Sequence, residues 1–278
     1  MPPVSKAMER KFWKGLCKAF QSLVDDIKTG LQSVFTLDQR TRQFLQSNEV
    51  NEYLDRLVGK MVTDVEWSSQ RSWRQSVYQT TNSRMMYDLI THEMQGPVGA
   101  RVNQIIADNA AYIKTLPYVW AQYVTQYAYR EGLKGKRPEE IEAELRKKLP
   151  GHITKNLKCI ARTECAKANA AIVQARAEMC GIKAYFWRCV ADERSRSSHI
   201  GMDGVLVFYD DPPNPEALFP GSGNPYGRYH AGNTFNCRCY QEPVVDNRFL
   251  PDVMRVHDHG KIVTMTKAKV LKTFGNVA

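Results

Sequence analysis

The sequence predicts an α+β chain, a mostly α-helical N-terminal region followed by a small loop-rich α+β unit with short strands. Three observations carry that expectation. From Lys6 to about Gly181 apolar residues recur at three- and four-residue spacing, and strand signals are scarce. Beyond Gly181 the character changes to short β-prone runs at 184–190, 205–209 and 239–245, rich in aromatic and β-branched residues. Between the last two lies 210–232, dense in proline, glycine and asparagine, which reads as loop. On these grounds residues 1–150 form a helical region, 151–246 a compact α+β domain, and 247–278 a basic C-terminal tail.

Each element has its own signal. Phe12, Leu16, Ala19, Phe20, Leu23, Val24 and Ile27 share one stripe of an amphipathic helix that ends near Gly30, with lysines opposite. Packing in a bundle or against a partner subunit suits this stripe better than a membrane surface. Thr36-Leu37-Asp38 can start a second helix running through Phe44, and a third runs from about Asn48 through Leu54, Leu57, Met61 and Val65. Residues 68–83, rich in Gln, Arg, Ser and Tyr, read as a wet helical face. Gly96-Pro97 breaks the pattern, and 98–113 and 117–130 then supply two separate helices. Tyr118, Trp120, Tyr123, Tyr127 and Tyr129 crowd the second of these, at a spacing that suits core and interface better than base stacking. Pro138 with Glu139 and Glu140 starts a helix that ends at Pro150-Gly151, and another runs from about Ile153 to Cys180 with Gly181 as its cap. In the tail, four lysines between 261 and 272 alternate with Val, Met and Leu, a pattern for a strand or helix that orders only in an assembly.

Composition narrows the function classes. Hydrophobic residues at 43% and charged residues at 24% are ordinary globular usage, which excludes global disorder. A net charge of +10 favours an anionic partner, either nucleic acid or an acidic protein surface. No apolar run approaches the roughly 18–20 residues a bilayer span needs, and the N-terminus lacks the apolar core of a signal peptide, so the expectation is a cytosolic product with no membrane partner. Seven cysteines, an odd number without secretory context, read as reduced thiols. Cys17, Cys159, Cys165, Cys180 and Cys189 look like buried small hydrophobes, whereas Cys237 and Cys239 stand apart.

Three polar patterns carry whatever chemistry there is: Arg162-Thr163-Glu164 with Asn169, the run Asp192-Glu193-Arg194-Ser195-Arg196 with His199 and Gly204, and Asn236-Cys237-Arg238-Cys239. An Arg162 facing the core needs a carboxylate, which Asp192 or Glu193 could supply. Asp203-Gly204 between apolar runs is a turn signal. His199, His230, Cys237 and Cys239 are zinc-binding residue types, and two thiolates with two imidazoles would complete a tetrahedral site. Only Arg238 separates the cysteines, however, where a zinc knuckle has two residues. A buried polar network centred on His199, or free thiols at a tight strand entry, explains the same residues. A catalytic reading would use Cys237 or Cys239 with His199 as base, or His199, Asn236 and Asp192 as a metal-dependent nuclease site. No phosphate-cradling loop, paired metal carboxylates or nucleophile elbow accompanies them.

The order of these elements is more specific than any one of them. Arg162-Thr163-Glu164 on a helix, Gly181, an aromatic strand with Trp187, Asp192-x-Arg194-x-Arg196-x-x-His199, Gly204, a proline-rich loop and Asn236-Cys237-Arg238-Cys239 together resemble the phage head morphogenesis domain of Mu F-like minor head proteins. The resemblance covers about 153–245. It implies a minor capsid component of the procapsid and virion, associated with the portal vertex and linked to head assembly or to DNA packaging and ejection, with no established catalysis. It further implies as partners the portal protein, other capsid or scaffolding proteins and packaged double-stranded DNA bound without sequence preference. The expected location is the capsid interior, after assembly in the host bacterial cytoplasm. Only a short basic tail follows residue 245, so the expectation is the virion form rather than a toxin-bearing one. Arg162, Glu164, Asp192, Arg194, Arg196, His199, Asn236 and Arg238 are then expected to form a structural polar network, with a DNA-processing nuclease using His199 as the alternative.

Overall fold

A computed structural model describes residues 3–30, 41–78, 83–219 and 226–278. The fold class is α+β. Helices α1 (Lys6–Ala19), α2 (Gln21–Gly30), α3 (Asn48–Val77), α4 (Ser83–Thr91), α5 (Pro97–Leu133) and α6 (Pro138–Met179) come first. There follow β1 (Ala184–Arg188), α7 (Ser197–Met202), β2 (Val205–Phe208), α8 (Pro215–Leu218), β3 (Tyr240–Pro243), β4 (Val253–Asp258), β5 (Lys261–Thr266) and α9 (Lys267–Phe274). The chain divides into two compact units, one chiefly Thr63–Gln104 with Thr163–Ala278, the other Lys6–Val62 with Ile105–Arg162.

The described residues of the second unit are helical apart from short breaks at Phe20, Ser47 and 134–137. Its core joins Phe12, Leu16, Leu54, Val58 and Trp120, with Phe20 edge-on to Trp120 at 5.0 Å and tilted against Phe44 at 5.5 Å. The single helix expected up to Gly30 breaks at Phe20, which turns into this aromatic cluster. Residues 41–46 are helical, and the start expected at Thr36–Asp38 lies outside the described residues.

Prolines do not end helices here as the sequence suggested. Pro117 lies inside α5 and Pro150 inside α6, so four expected helices are two. In each case the buried stripe runs straight through the proline: Ile113, Leu116, Trp120 and Val124 in α5, and Leu145, Leu149, Ile153 and Leu157 in α6. A proline costs the helix interior about 3 kcal/mol. Burial of four large apolar side chains, each contributing about 1.5–3 kcal/mol, outweighs that cost.

In the first unit, the wet face expected over 68–83, of which 79–82 lie outside the described residues, is wet only in part, because α3 continues to Val77 and buries Ser69, Trp73 and Val77. This segment surrounds Arg176, a fully buried cation. Its guanidinium donates to both Glu93 oxygens at 2.6 and 2.7 Å and to Ser69 Oγ at 2.7 Å, lies 3.4 Å from Glu66 Oε1, and stacks 5.9 Å from the Trp73 ring. Burial, foremost, pushes the Glu66 carboxyl up to about 7. Gly181, at φ +76, closes α6 as expected, with Ile182 donating back to the Ala177 carbonyl.

The five strands form one sheet in the order β3-β1-β2-β4-β5, antiparallel except for the β2–β4 pair. Strand alternation sorts its two faces. Ala184, Phe186, Leu206, Phe208, Met254, Val256 and Met265 pack on one face beneath Val270 of α9. Tyr185, Trp187, Val205 and Val207 pack on the other against Met202, Tyr229, Ala231, Cys237 and Cys239. Residues 253–274 are therefore ordered within this chain, pairing β4 with the central strand β2, where the sequence suggested a tail that orders only in an assembly. The outer strands are β3, ending at Pro243, and β5, beginning at the exposed Lys261.

Candidate functional site

On the Tyr185/Trp187 face of the sheet three segments converge: the exit of β1, helix α7, and the stretch leading into β3. The exit of β1 is fixed by two bonds. Gly204, at φ +74, donates to the Trp187 carbonyl at 2.8 Å, and Cys189 N–H donates to Asp203 Oδ1 at 2.8 Å. The approach to β3 lies on α6. Gly232, at φ +86, sits where a Cβ would stand 3.1 Å from the Cys239 carbonyl oxygen and 3.3 Å from Ala170 Cβ, so only glycine lets the loop lie this close. Asn236, at φ +53, donates its backbone N–H to Thr163 Oγ1 at 3.0 Å, and this left-handed turn swings the following cysteines inward.

His199, Cys237 and Cys239 meet there, all buried. The Cys237 and Cys239 sulfurs lie 3.5 and 3.3 Å from His199 Nδ1, and the three donor atoms fall within 4.8 Å of one another. The opposite ring nitrogen, Nε2, is 2.9 Å from the Tyr229 hydroxyl, which donates to Glu216 at 2.8 and 3.0 Å. A hydroxyl whose proton is committed to a carboxylate can only accept from the imidazole. Nε2 therefore carries the proton and Nδ1 turns a lone pair on the two sulfurs. Arg196 Nη1 is also near Nε2, but at 3.5 Å it is too long to reverse that assignment.

Cys189 completes the neighbourhood. A hydrogen bond from Cys239, foremost, pulls the Cys189 thiol down to about 6, and the same donor holds Cys237 well below its ordinary value. Cys239 is raised correspondingly, because it keeps the proton between the two other sulfurs. The mouth of the site is polar and basic, lined by Arg194, Arg196, Asn236 and Arg238.

The residues singled out from sequence scatter over several settings. Asp192 forms a two-pronged ion pair with Arg238, whose hydrogen bonds hold its carboxyl well below the usual carboxylate range. Asp192 Oδ1 also accepts from Arg194 N–H. Arg196 donates to the Phe235 carbonyl at 2.8 Å and lies 4.8 Å from the Tyr226 ring. Arg162, expected beside Asp192 or Glu193, has the Glu9 carboxylate 3.5 Å away, and Asp192 pairs with Arg238. Glu164 is buried with Lys167 at 3.4 Å, and burial raises its carboxyl. His230 is not part of the sulfur cluster. Its Nδ1 is 3.1 Å from the Tyr185 hydroxyl, and burial pushes its pKa down to about 4. Sequence reasoning missed Tyr229 and Glu216, gave Thr163 no role of its own within the Arg162-Thr163-Glu164 pattern, and set Cys189 aside as a hydrophobe. Its position just past the aromatic strand, ahead of the Asp192 run, was the available signal.

Residues 124–242 match the family model described as Phage Mu protein F like protein. The match starts earlier than the motif series alone indicated and takes in α6, β1, α7, β2, all of β3 but Pro243, and every member of the sulfur cluster. An uncharacterized protein of Haemophilus influenzae is 34% identical over 161 residues, 58% of this chain and 33% of that protein. The chain thus spans about a third of the length of that curated relative. No solved structure matches.

Proposed function

We propose, from the match of residues 124–242 to the family model described as Phage Mu protein F like protein, that the chain is a structural minor head protein of a tailed bacteriophage. In this reading it sits inside the capsid at the portal vertex, touches portal and other capsid or scaffolding proteins, and contributes to head assembly and to DNA packaging or delivery without catalysing a reaction. The family match is the observation that carries the proposal. Two physical features support it. Tyr78, Met85, Tyr87 and Met94 are large apolar side chains left exposed within one short stretch, as protein-contact surfaces require. The net charge of +10 suits packaged DNA, whose phosphates can be neutralised by lysine and arginine without reading bases.

Two measurements test the parts separately. Co-expression with the portal protein of the same phage, followed by pull-down of either partner, should recover both. Recovery of this chain in purified heads without portal in the pull-down removes the portal contact and leaves the head assignment. Fluorescence anisotropy with a random-sequence duplex should show binding that weakens with salt, log K falling by about 0.9 per log unit of salt for each phosphate neutralised. No binding at low salt transfers the basic charge to acidic protein partners.

A further inference from the structure

We infer that Cys189, His199, Cys237 and Cys239 together hold one zinc ion, a four-ligand structural centre pinning the exit of β1, helix α7 and the entry to β3. Geometry leads. Zinc at about 2.3 Å from sulfur and about 2.0–2.1 Å from nitrogen, in a tetrahedron, sets sulfur and nitrogen about 3.5 Å apart. The two separations from His199 Nδ1 are 3.5 and 3.3 Å. Cys189 supplies the fourth donor: its side chain packs on the same apolar cluster, and its sulfur, which lies outside the 4.8 Å set of the other three donor atoms, closes on the ion when the ion binds. Three thiolates and one imidazole are the soft, tetrahedral donor set that zinc prefers.

The surroundings are those of a ligand set rather than of spare thiols. The chain from His199 Nε2 through Tyr229 to Glu216 fixes the imidazole tautomer and aims Nδ1 at the centre, the outer support that metal-bound histidines need. Three thiolates around a divalent ion leave one net negative charge, and Arg194 and Arg196 line the mouth to offset it. Four protein ligands leave no open position for substrate or water, so the ion contributes folding energy and carries no reaction. The gain falls where this unit is richest in loop, between β1 and β3.

The test uses the full chain, purified under reducing conditions without chelator. Elemental analysis is expected to give one zinc per chain. Exchange for cobalt(II) is expected to give the visible bands of a tetrahedral site, with sulfur-to-cobalt charge transfer at the intensity of three thiolates. Cys189→Ser should lower that intensity by one third and release the metal to a chelator that the parent resists, whereas His230→Ala should keep it. Should Cys189→Ser fail to fold, alkylation of the parent decides the same point, since zinc should shield Cys189, Cys237 and Cys239 until a chelator is added. Absence of metal both as purified and after titration with zinc sulfate overturns the inference, as does a disulfide among the three cysteines. A two-thiolate cobalt spectrum, or free alkylation of Cys189 in the metal-loaded chain, overturns the assigned ligand set.

Discussion

Substituting methionine for Arg176 removes the cation on which two buried carboxylates depend. Arg176 and the Glu93 side chain are both at 0% exposure, so neither can turn to water without opening the helical layer around Trp73. Deleting one partner of a buried pair costs about 3–5 kcal/mol. Two features favour the lower half of that range. Gln70 Nε2 stays 3.0 Å from Glu93 Oε1, and the stranded carboxyl can take up a proton. For a carboxyl of reference pKa about 4.3, protonation costs about 3.7 kcal/mol at pH 7 and only about 1 kcal/mol at pH 5. Arg176→Met should therefore lose about 3–4 kcal/mol at pH 7 in urea unfolding followed by tryptophan fluorescence, and about 2–3 kcal/mol less than that at pH 5. Combining Arg176→Met with Glu93→Met should recover most of the loss, since an apolar pair replaces a buried ionic one at little net cost. A loss below about 1 kcal/mol at pH 7, or an equal loss at both pH values, would refute the assignment of an uncompensated buried charge.

Three further outcomes are expected. Glu66, with its carboxyl pushed from 4.5 to about 7 by burial, holds a proton in the folded chain that the unfolded chain has released, so its contribution to stability is lost as pH rises between those values. Glu66→Gln should flatten that stretch of the urea-midpoint profile, and an unchanged slope assigns it to other groups. Truncation after residue 246 removes Met254, Val256, Met265 and Val270 from one face of the sheet and leaves β2 without its parallel neighbour. The shortened chain should lose its near-ultraviolet dichroism from this unit, although the family match ends at 242; a native spectrum would show that β4 and β5 are dispensable. Tyr229→Phe should weaken zinc binding about 10–100-fold in chelator competition, with the fold retained. Unchanged affinity would mean that the Tyr229–Glu216 relay does not orient His199.

The fold class and all three expected strands were legible because strands covered on both faces write themselves into short apolar runs such as Tyr185, Phe186 and Trp187. Helix boundaries were less so. Pro117 and Pro150 are local stop signals, and only the buried stripe on either side, a tertiary property, reveals that the helices continue. The site was legible in residue type and misjudged in spacing. One residue between Cys237 and Cys239 differs from the two of a knuckle, yet in extended backbone positions i and i+2 face the same side, so the single-residue gap brings both sulfurs to His199. His230 was a sound candidate by type, but Tyr185 holds it elsewhere, and the place of Cys189 just past the aromatic strand was the linear signal that pointed to it instead. Arg176 left no signal: it lies on an alanine-rich helix, and its partners Ser69 and Glu93 are 107 and 83 residues away in sequence.

The order β3-β1-β2-β4-β5 leaves the sheet open, and an open sheet offers its outermost backbone to any strand that drifts past. On β3, Val244 N–H bonds inward to the Ala184 carbonyl, so the position before it faces outward, and that position is Pro243, which has no N–H to give. On the opposite border β5 exposes Lys261, Thr264 and Thr266, a charged and hydrated fringe that resists a second strand. Two copies crowded together therefore find no template for cross-β growth at either border. Self-association of this unit is thereby steered from backbone pairing toward side-chain surfaces.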